Sequence, residues 1–99
     1  MKMKYTEILK LKKMLEIAEI PFEFRTLFDG YQIGYPACPC GKVDVCKCSV
    51  IQHKFSYGND KNKLEIMGLL TDEEGENDSV IGYLDAIDVF LRIGKHYKK

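Results

Sequence analysis

The stretch Ser49–Leu70, SVIQHKFSYGNDKNKLEIMGLL, reads as two strands joined by a turn. Val50, Ile51 and Phe55 lie before the cluster Gly58-Asn59-Asp60-Lys61-Asn62, and Leu64, Ile66, Met67, Leu69 and Leu70 lie after it. Apolar and β-branched residues favour strands, and Gly, Asn and Asp favour turns. A turn centred between Asn59 and Asp60 places Phe55 opposite Leu64, His53 opposite Ile66, Ile51 opposite Gly68 and Lys54 opposite Glu65. That register groups Ile51, His53 and Phe55 with Leu64, Ile66 and Leu70 on the expected core face. Val50, Gln52 and Lys54 then share the open face with Glu65 and Met67. Because side chains alternate across a strand, a slip of one residue would reverse these assignments.

On the N-terminal side, Ile8, Leu11, Leu15 and Ala18 recur at three- and four-residue spacing, widened by Met14 and Ile17. Lys10, Lys12, Lys13 and Glu16 lie largely off that stripe, so an amphipathic helix is expected from Met3 to Ile20. Pro21 should end it, because the residue before a proline is pushed out of helical geometry. Phe22 to Phe28 then alternates as a half-buried strand, with Phe22, Phe24 and Phe28 on one side. Asp29-Gly30 reads as a two-residue hairpin turn returning through Tyr31, Ile33 and Tyr35. On the C-terminal side, Thr71 to Ser79 reads as an acidic connection and Val80 to Tyr83 as a short extended segment. Asp85 and Asp88 mark the start of a last helix that buries Ala86, Phe90, Ile93 and Tyr97, supported by Ile87. Together these give an α+β chain of helix, four-stranded antiparallel meander and helix, with both helices on one face of the sheet.

With 99 residues, the chain makes one domain, 1–99. Fifteen basic and fifteen acidic residues cancel, which argues against broad electrostatic binding to nucleic acid or to an anionic membrane. Lys and Glu interrupt the N-terminal apolar residues at every turn, so neither a signal peptide nor a membrane span is expected there, and the protein is expected in the cytoplasm.

Four cysteines, Cys38, Cys40, Cys46 and Cys48, lie in or at the end of the segment 37–48. Folding this segment back around Gly41 to Val45 would set Cys40 against Cys46 and Cys38 against Cys48. Four thiolates at about 2.3 Å make a closed structural zinc site, with no position left for substrate. The C-x-C spacing is tighter than the usual C-x₂-C pair, so unligated reduced thiols, a disulfide or a redox role are alternative readings.

His53, Glu65, Asp44 and Asp29 are the residues a metal-dependent nuclease would use, carboxylates on neighbouring strands holding Mg²⁺. The plainer reading pairs Glu65 with Lys54, makes Asp29 a turn residue and leaves His53 on the apolar face. No phosphate-cradling glycine loop or nucleophile elbow is present. Lys10, Lys12, Lys13, Lys95, Lys98 and Lys99 could track phosphates in a nucleic-acid-binding alternative.

The stretch Val50–Ile93 together with YQIGYP resembles small uncharacterised proteins encoded by phages and prophages of Gram-positive bacteria. SYG, LEIMGLLT and DSVxGYL are the pieces that carry the resemblance. It implies an accessory role in a bacterial cytoplasm and supplies neither an activity nor site residues. The expectation is therefore a non-enzymatic protein that binds an unidentified protein partner through the open sheet face or the acidic connection. It would be a monomer or a homodimer, with Val50, Met67 and Leu69 as candidate dimer contacts.

Overall fold

A computed structural model describes residues 5–36, 47–77 and 80–98. Its elements are α1 (Thr6–Ile17), β1 (Glu23–Leu27), β2 (Gly30–Tyr35), β3 (Cys48–Gln52), β4 (Leu64–Met67), α2 (Asp72–Asn77), β5 (Val80–Leu84) and α3 (Ala86–Tyr97). The strands form one antiparallel sheet in the order β1-β2-β3-β4-β5. The α+β meander is as expected, with one strand and one helix more than the sequence reading: Val80–Leu84 pairs with β4 as a fifth strand, and part of the acidic connection is helical.

That short helix has a local cause. Thr71 N–H donates to Glu74 Oε1 at 2.8 Å and Glu74 N–H donates to Thr71 Oγ1 at 3.2 Å. This is the reciprocal capping of an S/T-x-x-E sequence, which satisfies two donors a helix start leaves without a partner. Glu74 also receives the Arg92 guanidinium as a fork, both bonds at 2.8 Å, and Arg92 reaches the Leu69 carbonyl at 3.0 Å. α2 is thereby tied to α3.

The register of the central hairpin differs from the expected one. Val50 pairs with Ile66, Ile51 with Glu65 and Ser49 with Met67. Cys48, Val50 and Gln52 therefore face the core with Leu64 and Ile66, while Ile51 joins Glu65 and Met67 on the open face. The reason lies in residues 53–63. They fold as successive tight turns with a 3₁₀ turn at Asn59–Lys61 and left-handed residues at Gly58 and Asn62, so β3 stops at Gln52. The connection thus holds His53, Lys54 and Phe55, which the expected register placed in a strand.

One cluster forms the core. Ile8, Leu11 and Leu15 of α1, Ile33 and Val50 of the sheet, Leu64 and Ile66 of β4, and Ala86, Val89 and Ile93 of α3 are fully buried. Each Leu or Ile so buried contributes roughly 1.5–3 kcal/mol. α1 packs on β2, β3 and α3, and Tyr35 of β2 meets His96 of α3, hydroxyl to Nδ1 at 2.8 Å. Both long helices thus cover the face that carries Tyr35, Cys48 and Val50. On α3 it is Val89, not Tyr97, that completes the buried stripe; Ile87 and Tyr97 are about half exposed. Ile17 and Ala18 are likewise exposed on α1.

α1 ends at Ile17, four residues before Pro21. Glu19 takes φ 58°, its N–H donates to Glu16 O at 3.1 Å, and Ile20 N–H donates to Leu15 O at 3.0 Å. This is the Schellman arrangement, with Ile20 packed in the same core as Leu15. The stop is made by a left-handed residue rather than by the proline. At the other end, the side chain of the N-cap Tyr5 makes no capping bond to the helix. Residues far along the chain supply it instead: Thr6 and Glu7 N–H donate to Asn62 Oδ1 at 3.1 and 3.3 Å, and Ile8 N–H donates to Gln52 Oε1 at 3.0 Å. Gln52 Nε2 donates to the same Asn62 oxygen at 2.7 Å. The fully buried Gln52 therefore locks the start of α1 onto β3 and onto the 53–63 connection.

Among the described residues no helix is long and apolar enough to cross a membrane.

Candidate functional site

The β1–β2 hairpin turns on Phe28 and Asp29, because Leu27 pairs with Gly30. The turn sits one residue earlier than the Asp29-Gly30 dipeptide suggests. Gly30 is needed as a strand residue: a Cβ there would lie 2.0 Å from the Gln52 carbonyl oxygen, so only glycine lets β2 and the end of β3 approach. Phe28 is consequently moved out of the strand and takes φ 57°, a left-handed conformation that costs a non-glycine residue about 1–2 kcal/mol.

Asp29 anchors the turn. Its Oδ1 accepts the Lys54 N–H at 2.8 Å and its Oδ2 accepts the Tyr5 hydroxyl at 2.7 Å, which fixes the hairpin tip to the residue preceding α1 and to the chain leaving β3. There Ser56 Oγ accepts the His53 N–H at 3.1 Å and donates to the His53 carbonyl at 2.9 Å. Phe55 N–H donates to His53 Nδ1 at 3.1 Å. As an acceptor Nδ1 carries no proton, so the neutral ring holds its proton on Nε2. His53 is buried beneath two rings that are not.

The centroids of Phe28 and Phe55 are 5.0 Å apart at 88°, and those of Phe28 and His53 are 5.0 Å apart at 68°. These are edge-to-face contacts, worth about 0.5–1.5 kcal/mol each beyond simple burial. The Lys54 ammonium lies 5.2 Å from the Phe55 centroid. Phe28 and Phe55 are each 66% exposed. Two large apolar rings therefore stand in solvent on a base fixed by hydrogen bonds, where either would bury more area in the core.

The open face of the sheet carries Arg25, Gln32, Ile51 and Glu65 in one row and Glu23, Gly34, Ser49 and Met67 in the next. Gln32 Nε2 donates to Ser49 Oγ at 2.9 Å, and Glu65 Oε1 accepts the Tyr57 N–H at 2.8 Å. Of the residues expected here, Glu65 and Met67 remain, whereas Gln52 faces the core and Lys54 belongs to the turn. Val50 is in the core and Leu69 packs against it, so only Met67 of the three expected dimer contacts is freely exposed.

Cys38, Cys40, Cys46 and Asp44 lie outside the described residues. Cys48 pairs with Tyr35 across β2 and β3 and is buried. Burial pushes its thiol up to about 12, against a smaller opposing pull from Arg92, so it is protonated at neutral pH. Of the described residues named for a nuclease, Asp29 and His53 both belong to the hairpin tip, where Asp29 accepts the Lys54 N–H and His53 lies under the phenylalanines, whereas Glu65 accepts a backbone N–H on the open face. Among the described residues no group of three or more His, Cys, Asp or Glu is placed to hold a metal ion. Lys10 and Lys12, expected to track phosphates, pair with Glu7 and Glu16 on α1.

The aromatic tip was not evident in the sequence as a site. Alternation assigns Phe28 and Phe55 to the core, and the one signal against it is that Phe28 adjoins Asp29-Gly30 and Phe55 stands three residues before the Gly58–Asn62 cluster. No protein-family model, curated protein or solved structure matches the chain.

Proposed function

We propose that this protein is a non-enzymatic binding module, of the accessory kind carried by phages and prophages, that engages a protein partner through the Phe28–Phe55 tip. The observation that supports this reading is the pairing of high exposure with rigidity. Large aromatic residues dominate binding energy at protein interfaces. Burying each ring against a partner would contribute roughly 1.5–3 kcal/mol. The hydrogen bonds through Asp29, Ser56 and His53 hold both rings in place beforehand, so little conformational freedom is lost on docking. The strained Phe28 backbone fits the same reading, since strain collects where function needs a particular side chain.

The test is affinity capture from the producing cells with the wild-type chain and with Phe28→Asn/Phe55→Ser. Asn tolerates the left-handed backbone, and Phe55 is mostly exposed, so the variant should fold. A discrete protein recovered by the wild type and lost by a cooperatively melting variant supports the proposal. Equal recovery by both overturns it.

Lys54 beside Phe55 favours one second reading, in which a base stacks on the rings while the ammonium meets a phosphate. Binding of a labelled single-stranded RNA that weakens steeply with salt and disappears in the same variant would select it. A structural zinc held by Cys38, Cys40, Cys46 and Cys48 is a separate proposal. About one zinc per chain, lost when Cys38, Cys40 and Cys46 are changed to serine, would support it; those three substitutions leave the buried Cys48 in place.

A further inference from the structure

α1 and α3 run side by side in the same direction. Glu7, early in α1, accepts the Ala86 N–H at the start of α3 at 2.8 Å. Met14 shares a hollow with Ile87, and one turn on, Ala18 shares a groove with Leu91 and Gly94. That groove holds about 300 Å³ and is lined by Ala18, Ile20, Phe90, Leu91, Gly94 and Tyr97, with Lys98 at its C-terminal end. A Cβ built on Gly94 would meet nothing within 4 Å, so the groove is open over this turn. Apolar side chains stand exposed on the two helices: Ile17 is 74% exposed, Leu91, which lines the groove, 61%, and Ile87, which lines the hollow beside Met14, 55%.

The outward faces of the two helices carry matching sequences at matching heights. Helical spacing aligns Lys10, Lys13 and Ile17 on α1, and Asp88, Leu91 and Lys95 on α3. From the shared hollows, Lys13 stands about level with Asp88 and Ile17 about level with Leu91. α1 is thus basic and then apolar where α3 is acidic and then apolar.

We propose that a second copy of this chain covers this layer, related by a two-fold axis parallel to the helices so that α1 of each copy lies over α3 of the other. Such a rotation keeps every residue at its own height while exchanging α1 for α3. It brings Lys13 against Asp88 and Ile17 against Leu91, twice each. A two-fold interface must complement itself, and this surface does so in both charge and apolarity. The open turn at Gly94 leaves room for the apolar side chains of the other copy.

Sedimentation equilibrium of the full chain across about 1–100 μM tests the proposal, because a dimer population grows with concentration. The wild type should approach a two-chain mass, and Leu91→Lys, at a position that takes no part in the buried core, should remain a monomer. Lys13→Asp and Asp88→Lys should each weaken association at least tenfold, and both on one chain should restore it. Asp88→Lys also removes the acceptor for the Asp85 N–H, so thermal melts confirm that each variant is folded. A wild type monomeric throughout, a Leu91→Lys variant that still dimerises, or a double variant no tighter than the singles overturns the proposal.

Discussion

Replacing Gln52 with leucine should be among the most damaging single changes available, even though leucine is apolar and of similar size. Gln52 is fully buried, accepts the Ile8 N–H at 3.0 Å and donates to Asn62 Oδ1 at 2.7 Å. Leucine would leave the Ile8 N–H buried without an acceptor, a desolvation cost of about 1–3 kcal/mol. It would also remove the bond to Asn62, which contributes roughly 1 kcal/mol. The sum is about 2–4 kcal/mol, a large part of the 5–15 kcal/mol typical of a domain. For a chain of this length that lowers Tm by roughly 10–25 °C. Urea unfolding followed by circular dichroism measures it. Asn62→Gly, which keeps the left-handed backbone at φ 56° but removes the cap, should couple to Gln52→Leu by about 1 kcal/mol in a double-mutant cycle. A Gln52→Leu variant within about 0.5 kcal/mol of wild type would refute the capping of α1 from β3, since that is the range of a neutral surface change.

Three other perturbations test separate parts of the structure. Glu19→Gly, at φ 58°, should raise stability by about 0.5–1 kcal/mol, because glycine adopts that conformation without steric cost; an unchanged or lower urea midpoint would argue against the Schellman stop. Gly30→Ala should cost about 2 kcal/mol or more, since the added methyl would meet the Gln52 carbonyl 2.0 Å away, and a thermal melt would register it. The Arg92 fork holds the Glu74 carboxyl at about 2, below its ordinary 4.5. A lowered folded-state pKa stabilises the fold above the unfolded value, so this contribution is complete above about pH 4.5 and is lost as pH falls toward 2. Because both side chains are roughly a quarter exposed, it amounts to about 1 kcal/mol, and Glu74→Gln should remove that part of the acid dependence of the urea midpoint.

The meander was legible because its turns are written in local chemistry: the Gly58–Asn62 cluster and the Asp29-Gly30 dipeptide announce reversals wherever they occur. α2 was legible in principle, since Thr71-x-x-Glu74 is a capping sequence, but the acidic composition around it suggested a loop. What local pattern could not carry is parity. An eleven-residue connection, 53–63, decides which of Val50 and Ile51 faces the core, and its turns draw on partners elsewhere, such as Asn62 bonding Thr6 across 56 positions. The aromatic tip was hidden for a related reason. Phe28 and Phe55 have core composition, and only the close approach at Gly30 and the early end of β3 move them into solvent.

A photoreactive phenylalanine analogue placed at Phe55 in the producing cells tests the binding proposal most directly. It predicts one discrete cross-linked protein that disappears when Phe28→Asn is added and is absent when the analogue sits at the exposed Asp60. Adducts of equal yield and pattern at Phe55 and Asp60 would contradict it.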